Sequence, residues 1–251
     1  KNLLDLKTFA KLMQDKAFLE AMQNTILVIV LVMICTIVLA VLFAALLSRG
    51  DFKGKKFSSV LFFYIPNIFK YRSSSRYFLE LFTILVQVLL NTFLEAIHLD
   101  GLVHQWMGEP KIVLYSVIFA LVWQAIGYYM VMYMASMAAI PEDLYEAASL
   151  DGATEIQIFF PGDFAVDLEQ YPYYIDILYH QYDQLKFLFV QIMTDGGPNG
   201  KTEVFLNYMY KQAYGAGVYG YGMAIGVVVF LFSFILAAVV NKITDREVLE
   251  F

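Results

Sequence analysis

From Thr25 to Leu47 the chain carries no charged side chain, and the same is true from Ile112 to Ile140 and from Tyr221 to Val240. About 20 apolar residues suffice to cross the hydrocarbon layer of a bilayer, so each stretch predicts a membrane-spanning helix. The run at 112–140 is long enough to tilt, or to emerge at one end. Ahead of the first span, Leu3, Leu6, Phe9, Ala10, Leu12, Met13, Ala17 and Phe18 recur at helical spacing among polar residues. Residues 1–23 therefore read as an amphipathic segment, lying at the membrane interface or packed against the rest of the protein.

Arg49, Lys53, Lys55 and Lys56 follow the first span at once and mark the cytoplasmic side. Residues 57–69 and 77–97 are apolar but are separated by KYRSSSR (70–76), and one crossing is expected there. HLDGLVHQWMGEPK (98–111) reads as an external loop; His98 and His104, without further ligands, read as loop residues and not as a metal site. After the span at 112–140, residues 141–160 fall in the cytoplasm. A return crossing must precede residue 194, yet 164–190 carry Asp167, Glu169, Asp176, Asp183 and Lys186. Each would cost roughly 2.5–3.5 kcal/mol at a helix centre. NKITDREVLEF closes the chain on the cytoplasmic side. The expected architecture is all-α and polytopic: an external N-terminus, the amphipathic segment 1–23, then a transmembrane domain over 24–251 with five crossings. No repeat and no soluble domain are visible.

Composition agrees. Hydrophobic residues make up 60% and charged residues 16%, against about 45–50% and about 25% in soluble domains. Mean hydropathy is +0.61. A net charge of −6 and the lack of a long basic run point away from nucleic acid. The single cysteine, Cys35, allows neither an internal disulfide nor a zinc pattern. The chain begins at Lys1, so its start is read as processed or as preceded by a further segment; the first twenty residues show no signal-peptide pattern.

The stretch PEDLYEAASLDGATEIQIFF (141–160) directly follows the second uncharged run. Pro141 lacks an N–H and suits a helix start, and Glu142 and Asp143 favour its N-terminus through the dipole. Leu144 to Leu150 can form about two turns, with Ala147 and Ala148 keeping the surface thin. Gly152 permits a left-handed stop, and Ala153 to Phe160 can begin a second helix. The residues alone leave two readings open, a docking element or a plain cytoplasmic connection.

EAASLDGA resembles the EAA loop of importer-type ABC transporter permeases, through Glu146, Ala147, Ala148 and Gly152. MTDGGPNGKTEVFLNYMYKQAYGAGVYGYGMAIG (193–226) is similar to a loop and last helix of carbohydrate-uptake permeases, the maltose-permease-like branch. NTILVIVLVMICTIVLAVLFAALLSRG, FFYIPN and the terminal REVLEF extend the likeness over most of the chain. The resemblance implies the type I ABC importer permease fold with six crossings in the family. It also implies a multi-pass place in the bacterial plasma membrane and a sugar, expected to be an oligosaccharide, as cargo. The partners implied are a second, different permease subunit, two cytoplasmic ATPase subunits that bind ATP and Mg, an extracytoplasmic sugar-binding protein, and membrane lipid. This chain would hold no cofactor. Glu146, Ala147, Ala148 and Gly152 would couple it to the ATPase, whose nucleotide-driven closure rocks the paired permeases between inward- and outward-facing states.

The chain also departs from the family. Most relatives carry a further transmembrane helix ahead of the amphipathic segment, so six crossings are expected of the natural protein where this sequence shows five. The EAA loop runs into PGDFAVDLEQYPYY where relatives continue with an isoleucine and a Leu-Pro pair, and KYRSSSR interrupts the second crossing. Either these stretches are polar faces lining a translocation path, or residues in 70–76 and 161–190 differ from their natural identities.

For sugar contacts, aromatic faces and amide or hydroxyl rims are the relevant chemistry. Trp123, Gln124 and Tyr128 are the candidates, with interhelical packing as the alternative. Gly196, Gly197 and Pro198 of GGPNG read as a tight external turn or as a contact for the binding protein. No GxxxxGK[ST] loop occurs, so ATP would be hydrolysed by another chain. His98, His104 and His180 are scattered, and enzyme chemistry is not expected. The competing functions are an ABC permease for another solute, such as polyamine or glycerol phosphate, an ion-coupled secondary transporter using Asp176 and Asp183, and a structural membrane anchor.

Overall fold

The computed structural model describes residues 6–49, 75–138, 140–154 and 187–244. Among these residues the regular elements are all helical, with no strand. The helices are α1 (Leu6–Leu12), α2 (Lys16–Arg49), α3 (Ser75–Ala96), α4 (Val113–Ala138), α5 (Glu142–Leu150), α6 (Phe205–Tyr210) and α7 (Tyr219–Thr244). A 3-10 turn covers Asp100–Leu102, residues 187–193 are helical, and a π-helical turn, Lys211–Gly215, follows α6.

Among the described residues, three helices are long and apolar enough to cross a membrane: Lys16–Leu47, Val113–Ala138 and Tyr219–Val239. They correspond to the three uncharged runs of the sequence. The first begins nine residues earlier than its uncharged stretch, because residues 16–24 continue α2 without a break. The true interruption lies at residues 13–15, where Asp15 caps α2: its Oδ1 accepts the Ala17 N–H at 3.0 Å. A carboxylate in that position satisfies one of the orphan donors of the first turn. Of the single crossing expected over 57–97, the part from Ser75 to Ala96 is helical as α3, and residues 57–74 lie outside the described residues. The return crossing expected before residue 194 and the second helix expected from 153 fall largely on 155–186, outside the described residues, as do REVLEF and residues 70–74 of KYRSSSR.

The helices distribute over two compact units, one made of residues 1–32, 72–121 and 180–236, the other of 33–71, 122–179 and 237–251. In the first, Leu12, Phe18 and Ile225 are wholly buried together, with Met22, Tyr208, Met209, Tyr221, Val228 and Val229 against them. This cluster brings α1, the start of α2, α6 and α7 onto one core. In the second, Ala40, Ala44 and Leu47 of α2 and Tyr129, Met130 and Tyr133 of α4 are the main buried side chains.

The apolar surface of α2 is divided. Ile26, Val30, Ile34, Val38, Leu42 and Leu46 are exposed, every fourth residue. Ala21, Thr25, Val28, Val32, Thr36, Ala40 and Ala44 are buried. Lipid is as apolar as leucine, so helices in a membrane associate through close packing, which small residues permit. The large aliphatic side chains are left for the acyl chains.

Candidate functional site

The helix that follows the second span, α5, is short and projects its residues outward. Pro141, with φ −58°, immediately precedes its first residue. Its end is a Schellman motif: Gly152 N–H donates to Ser149 O at 3.1 Å and Ala153 N–H to Ala148 O at 3.0 Å. Gly152 adopts φ +79° to make both bonds possible, a conformation that glycine reaches without a Cβ penalty. Glu146 and Ala147 are exposed, Ala148 is half-buried, and Leu150 is 88% exposed. The four candidate coupling residues thus come together on one turn-and-a-half of helix and its stop. Among the described residues, no atom beyond its chain neighbours lies within 4 Å of where a Cβ on Gly152 would sit.

The GGPNG segment is built by left-handed residues: Asp195 (φ 46°), Gly196 (79°), Asn199 (54°) and Gly200 (74°). Gly197–Pro198 is a cis peptide. The turn is closed by Thr194 and Thr202, whose hydroxyl oxygens are 2.7 Å apart, and by Thr202 donating to Gly197 O at 2.8 Å. Gly196 is buried, Gly197 and Pro198 half-buried, and Asn199 and Lys201 are the exposed tip.

Beneath the turn lies Glu203, a buried carboxylate. It accepts from Asn207 Nδ2 at 2.6 Å and from Lys211 Nζ at 2.9 Å. Lys211 also donates to Asp195 O at 2.6 Å and lies 3.3 Å from the Asp195 carboxylate. Partial burial pushes the Lys211 ammonium down, but Glu203 and Asp195 outweigh it and hold its pKa above the usual lysine value. The segment is fastened to α2: Asn24 Nδ2 donates to Glu203 O at 3.0 Å, and Phe205 N–H donates to Thr25 Oγ1 at 3.1 Å.

A second polar knot joins the start of α2 to α6 and α7. The Asp15 Oδ2 accepts hydrogen bonds from Tyr208 and Tyr221, the first at 2.6 Å. Burial raises the Asp15 pKa, but these two hydroxyls and the backbone N–H groups of Ala17 and Phe18 lower it further, so the net shift is downward. The Tyr208 hydroxyl is pushed up, by burial first and by the carboxylate it faces. Residues 193 and 206 positions apart meet here, so no local spacing announced the contact.

Of the candidate sugar contacts, Gln124 and Tyr128 lie one turn apart on α4 and share a face, while Trp123 is rotated away from them. Gln124 is buried, and Trp123 and Tyr128 are half-buried. Tyr128 meets Tyr129 edge to face, with ring centroids 5.4 Å apart. A cavity of about 470 Å³ lies along the first half of α4, between Tyr115, Ser116 and Phe119, Gln87 and Leu90 of α3, and Trp106. The sequence did not single out these residues. Trp106 is fixed there by its Nε1–H, which donates to Asn91 Oδ1 at 2.7 Å, while Asn91 Nδ2 donates to His104 O at 3.0 Å. His104 Nδ1 in turn lies 3.1 Å from Glu109 Oε1, a loop-closing pair.

No protein-family model matches the sequence. Full-length similarity to known proteins does exist. The chain is 31% identical to the probable ABC transporter permease protein YurN of Bacillus subtilis, covering 96% of this chain and 82% of YurN. It is 30% identical to the diacetylchitobiose uptake system permease protein NgcF of Streptomyces coelicolor, covering 97% of this chain and 72% of NgcF. Its fold matches a crystal structure of a bacterial ABC transporter involved in the import of the acidic polysaccharide alginate, with a TM-score of 0.81 at 19% identity over 96% of this chain and 83% of that one. With an all-helical architecture, long apolar spans, an EAA-type helix–glycine stop after one span and a GGP turn before the last, the chain belongs to the permeases of carbohydrate-uptake ABC transporters, the maltose-permease-like, binding-protein-dependent importers, which are multi-pass proteins of the plasma membrane.

Proposed function

We propose that this chain is one of two permease subunits of an ATP-driven importer for an oligosaccharide, and that it forms part of the translocation path while a separate cytoplasmic ATPase supplies the power stroke. The observation that carries the reading is α5 with its glycine stop. It is a rigid two-turn helix whose Leu144, Ala147 and Leu150 are exposed. Apolar side chains on a short exposed helix are a docking surface in want of a partner. Glu146 would add a polar contact, and Ala147 and Ala148 would let the ATPase surface approach closely.

In this reading ATP and Mg are bound by the ATPase subunits, and this chain contributes no catalytic group. Closure of the ATPase dimer would push on α5, and the spanning helices would carry that displacement as rigid rods. The GGPNG turn, tied to α2 through Asn24 and Thr25, would face the opposite, external side and meet the sugar-binding protein with Asn199 and Lys201. Trp123, Gln124 and Tyr128 would offer the sugar one aromatic face and neutral hydrogen-bonding groups.

The direct test is a cross-link. A single cysteine at Leu150, in a chain whose own Cys35 has been replaced by Ser, should capture the ATPase subunit in membranes expressing the whole importer. Capture that depends on the position of the cysteine supports the coupling role. Labelling of Leu150→Cys from the extracytoplasmic side, with no ATPase captured, would overturn it.

A further inference from the structure

We infer that the cavity beside the first half of α4 is a lipid site: it holds one acyl chain of a phospholipid whose headgroup phosphate is met by Lys111. This occupant comes from the membrane and is independent of the cargo, so the proposed function is not needed for it.

The cavity, of about 470 Å³, lies wholly within the first compact unit, between α3, the loop ahead of α4, the first turns of α4 and Met193. Its lining is almost entirely apolar, and polar groups along it are turned to their neighbours. The Trp106 indole N–H donates to Asn91 Oδ1 at 2.7 Å. The Ser116 hydroxyl donates to Trp106 O at 2.9 Å and to Ile112 O at 3.2 Å. What these residues give the space is carbon, and Gln87 adds one amide. A sugar entering here would leave water at many hydroxyls and meet few partners, which is costly. An acyl chain gives up no hydrogen bond, because it exchanges one hydrocarbon surrounding for another, and it gains dispersion contacts with the wall. Met107 and Met193 are flexible enough to close on a chain of variable shape.

The position of the cavity names the bilayer as the source. Its wall continues into the exposed apolar surface of the helices: Leu90, Tyr115 and Phe119 line it and are themselves exposed, and Val88, Leu89 and Phe93 carry the same surface along α3. A chain can therefore enter sideways from the membrane. The depth fits one leaflet. Lining residues 112–120 cover about 12 Å along the helix axis, and half of a hydrocarbon core is about 15 Å. The end nearest the loop lies at the membrane boundary. Trp106 precedes the first turn of α4 and Tyr115 lies in it, the level at which Trp and Tyr gather. Lys111 is exposed there and adjoins Ile112 of the lining, so its ammonium sits at the level of the phosphates and complements their charge. The nearby carboxylate of Glu109 is engaged by His104 Nδ1 and by the Gln105 N–H, both at 3.1 Å.

The experiment is photolabelling of the complete importer in proteoliposomes by phosphatidylglycerol with a diazirine on its acyl chain, followed by mapping of the labelled peptides. Met107 and Met193 report the cavity, and Phe93 reports the open bilayer. Labelling at Met107 and Met193 should saturate at a low fraction of the probe, while labelling at Phe93 rises in proportion to it. Ala120 is a buried residue of the lining. Ala120→Phe should cut the cavity labelling by at least roughly tenfold, the loss of room for about two methylenes, and leave Phe93 unchanged. Ile112→Phe, at the half-buried rim, carries the same expectation and serves where Ala120→Phe does not reach the membrane. Cavity labelling that tracks Phe93 through these variants means bulk lipid only and overturns the site. Loss of the labelling when malto-, xylo- or chito-oligosaccharides are added would make the cavity a solute subsite and overturns it as well. So does absence of cavity labelling in the complete importer, in which case a cross-link from Phe119→Cys to the second permease would identify a subunit contact.

Discussion

The carboxylate of Glu203 occupies the place where a side chain on Gly196 would begin. Gly196 combines this crowding with φ +79°, so two constraints favour glycine there. Gly200, a few residues on, shares the backbone conformation at φ +74° but has open space around it. Gly200→Ala should therefore lose only the left-handed penalty, about 1–2 kcal/mol. Gly196→Ala should lose more, because Glu203 must also move and is held by Asn207 and Lys211. Thermal melts of the two variants in the same detergent would rank them. Equal loss would mean that Glu203 yields freely and is not the anchor of the turn.

Glu203 is buried and Lys211 is its cationic partner, which makes removal of the cation costly. Lys211→Met should destabilise by about 1–3 kcal/mol, the penalty of a buried polar group left without its partner. Adding Glu203→Gln to Lys211→Met should recover much of that loss, since a neutral amide needs no counter-charge. The pH dependence follows from the raised lysine pKa. The stabilisation is fully present below the unfolded value of 10.5 and is lost as pH rises through the higher folded value. Melts across the alkaline range should show this loss in the parent and not in the double variant.

Asp15 works in the opposite pH direction. Its pKa is lowered in the folded chain, so its contribution is present above the unfolded value of 3.8 and disappears as pH falls through the lower folded value. Tyr208→Phe and Tyr221→Phe each delete one donor to a charged acceptor, worth about 1.5–3 kcal/mol. Asp15→Asn removes the charge that both hydroxyls share. The two Tyr→Phe changes should each have little further effect once Asp15→Asn is present. Hydrogen exchange over residues 6–22 is the sensitive readout, because the knot ties the start of α2 to α6 and α7. Additive losses in the double variants would show that the hydroxyls hold their elements independently of Asp15.

Much of this was legible in the sequence, and the rest was hidden for identifiable reasons. The charge-free runs mark the cores of α2, α4 and α7, and Pro141 and Gly152 bracket α5 correctly, because propensity and capping act locally. The boundary at residues 13–15 carried a signal in Asp15, an N-cap residue ahead of a helix, but the surrounding apolar spacing ran through it and suggested one helix. The Asp15–Tyr208–Tyr221 and Glu203–Lys211 knots were not legible. The first joins distant parts of the chain, and the second depends on the left-handed turn that precedes it. Gln87, Trp106 and Ser116 beside the α4 cavity were missed because Gln87 and Ser116 lie on helices read only as crossings and Trp106 in a stretch read only as a loop.

The division of α2 into two faces was also present in the sequence, as small residues at Ala40 and Ala44 and large ones at Val38, Leu42 and Leu46. A uniformly apolar helix conceals which face packs. Ala40→Leu places extra methylenes in a filled interface and should destabilise by about 1–3 kcal/mol. Val38→Leu, on the exposed face, should change stability by less than about 0.5 kcal/mol. Melting of the detergent-solubilised protein separates the two. A neutral Ala40→Leu would show that this face has room to spare.

Gly152 allows the turn and the docking surface to be distinguished. Asparagine tolerates the left-handed region better than other non-glycine residues, and among the described residues no atom beyond the chain neighbours lies within 4 Å of the added Cβ. Gly152→Asn should therefore insert into the membrane and melt within about 1 kcal/mol of the parent, as should Glu146→Lys on its exposed site. Gly152→Asp adds a charge at the same open position. If α5 is the surface that the ATPase grips, Gly152→Asp and Glu146→Lys should abolish sugar uptake with insertion intact, and Gly152→Asn should lower uptake in proportion to how closely the partner approaches. ATP-driven uptake, normalised to the amount of inserted protein, decides the matter. Normal uptake in Gly152→Asp and Glu146→Lys together would reduce α5 to a plain connection between helices, because a charge change on a gripped surface cannot be silent at both of its ends.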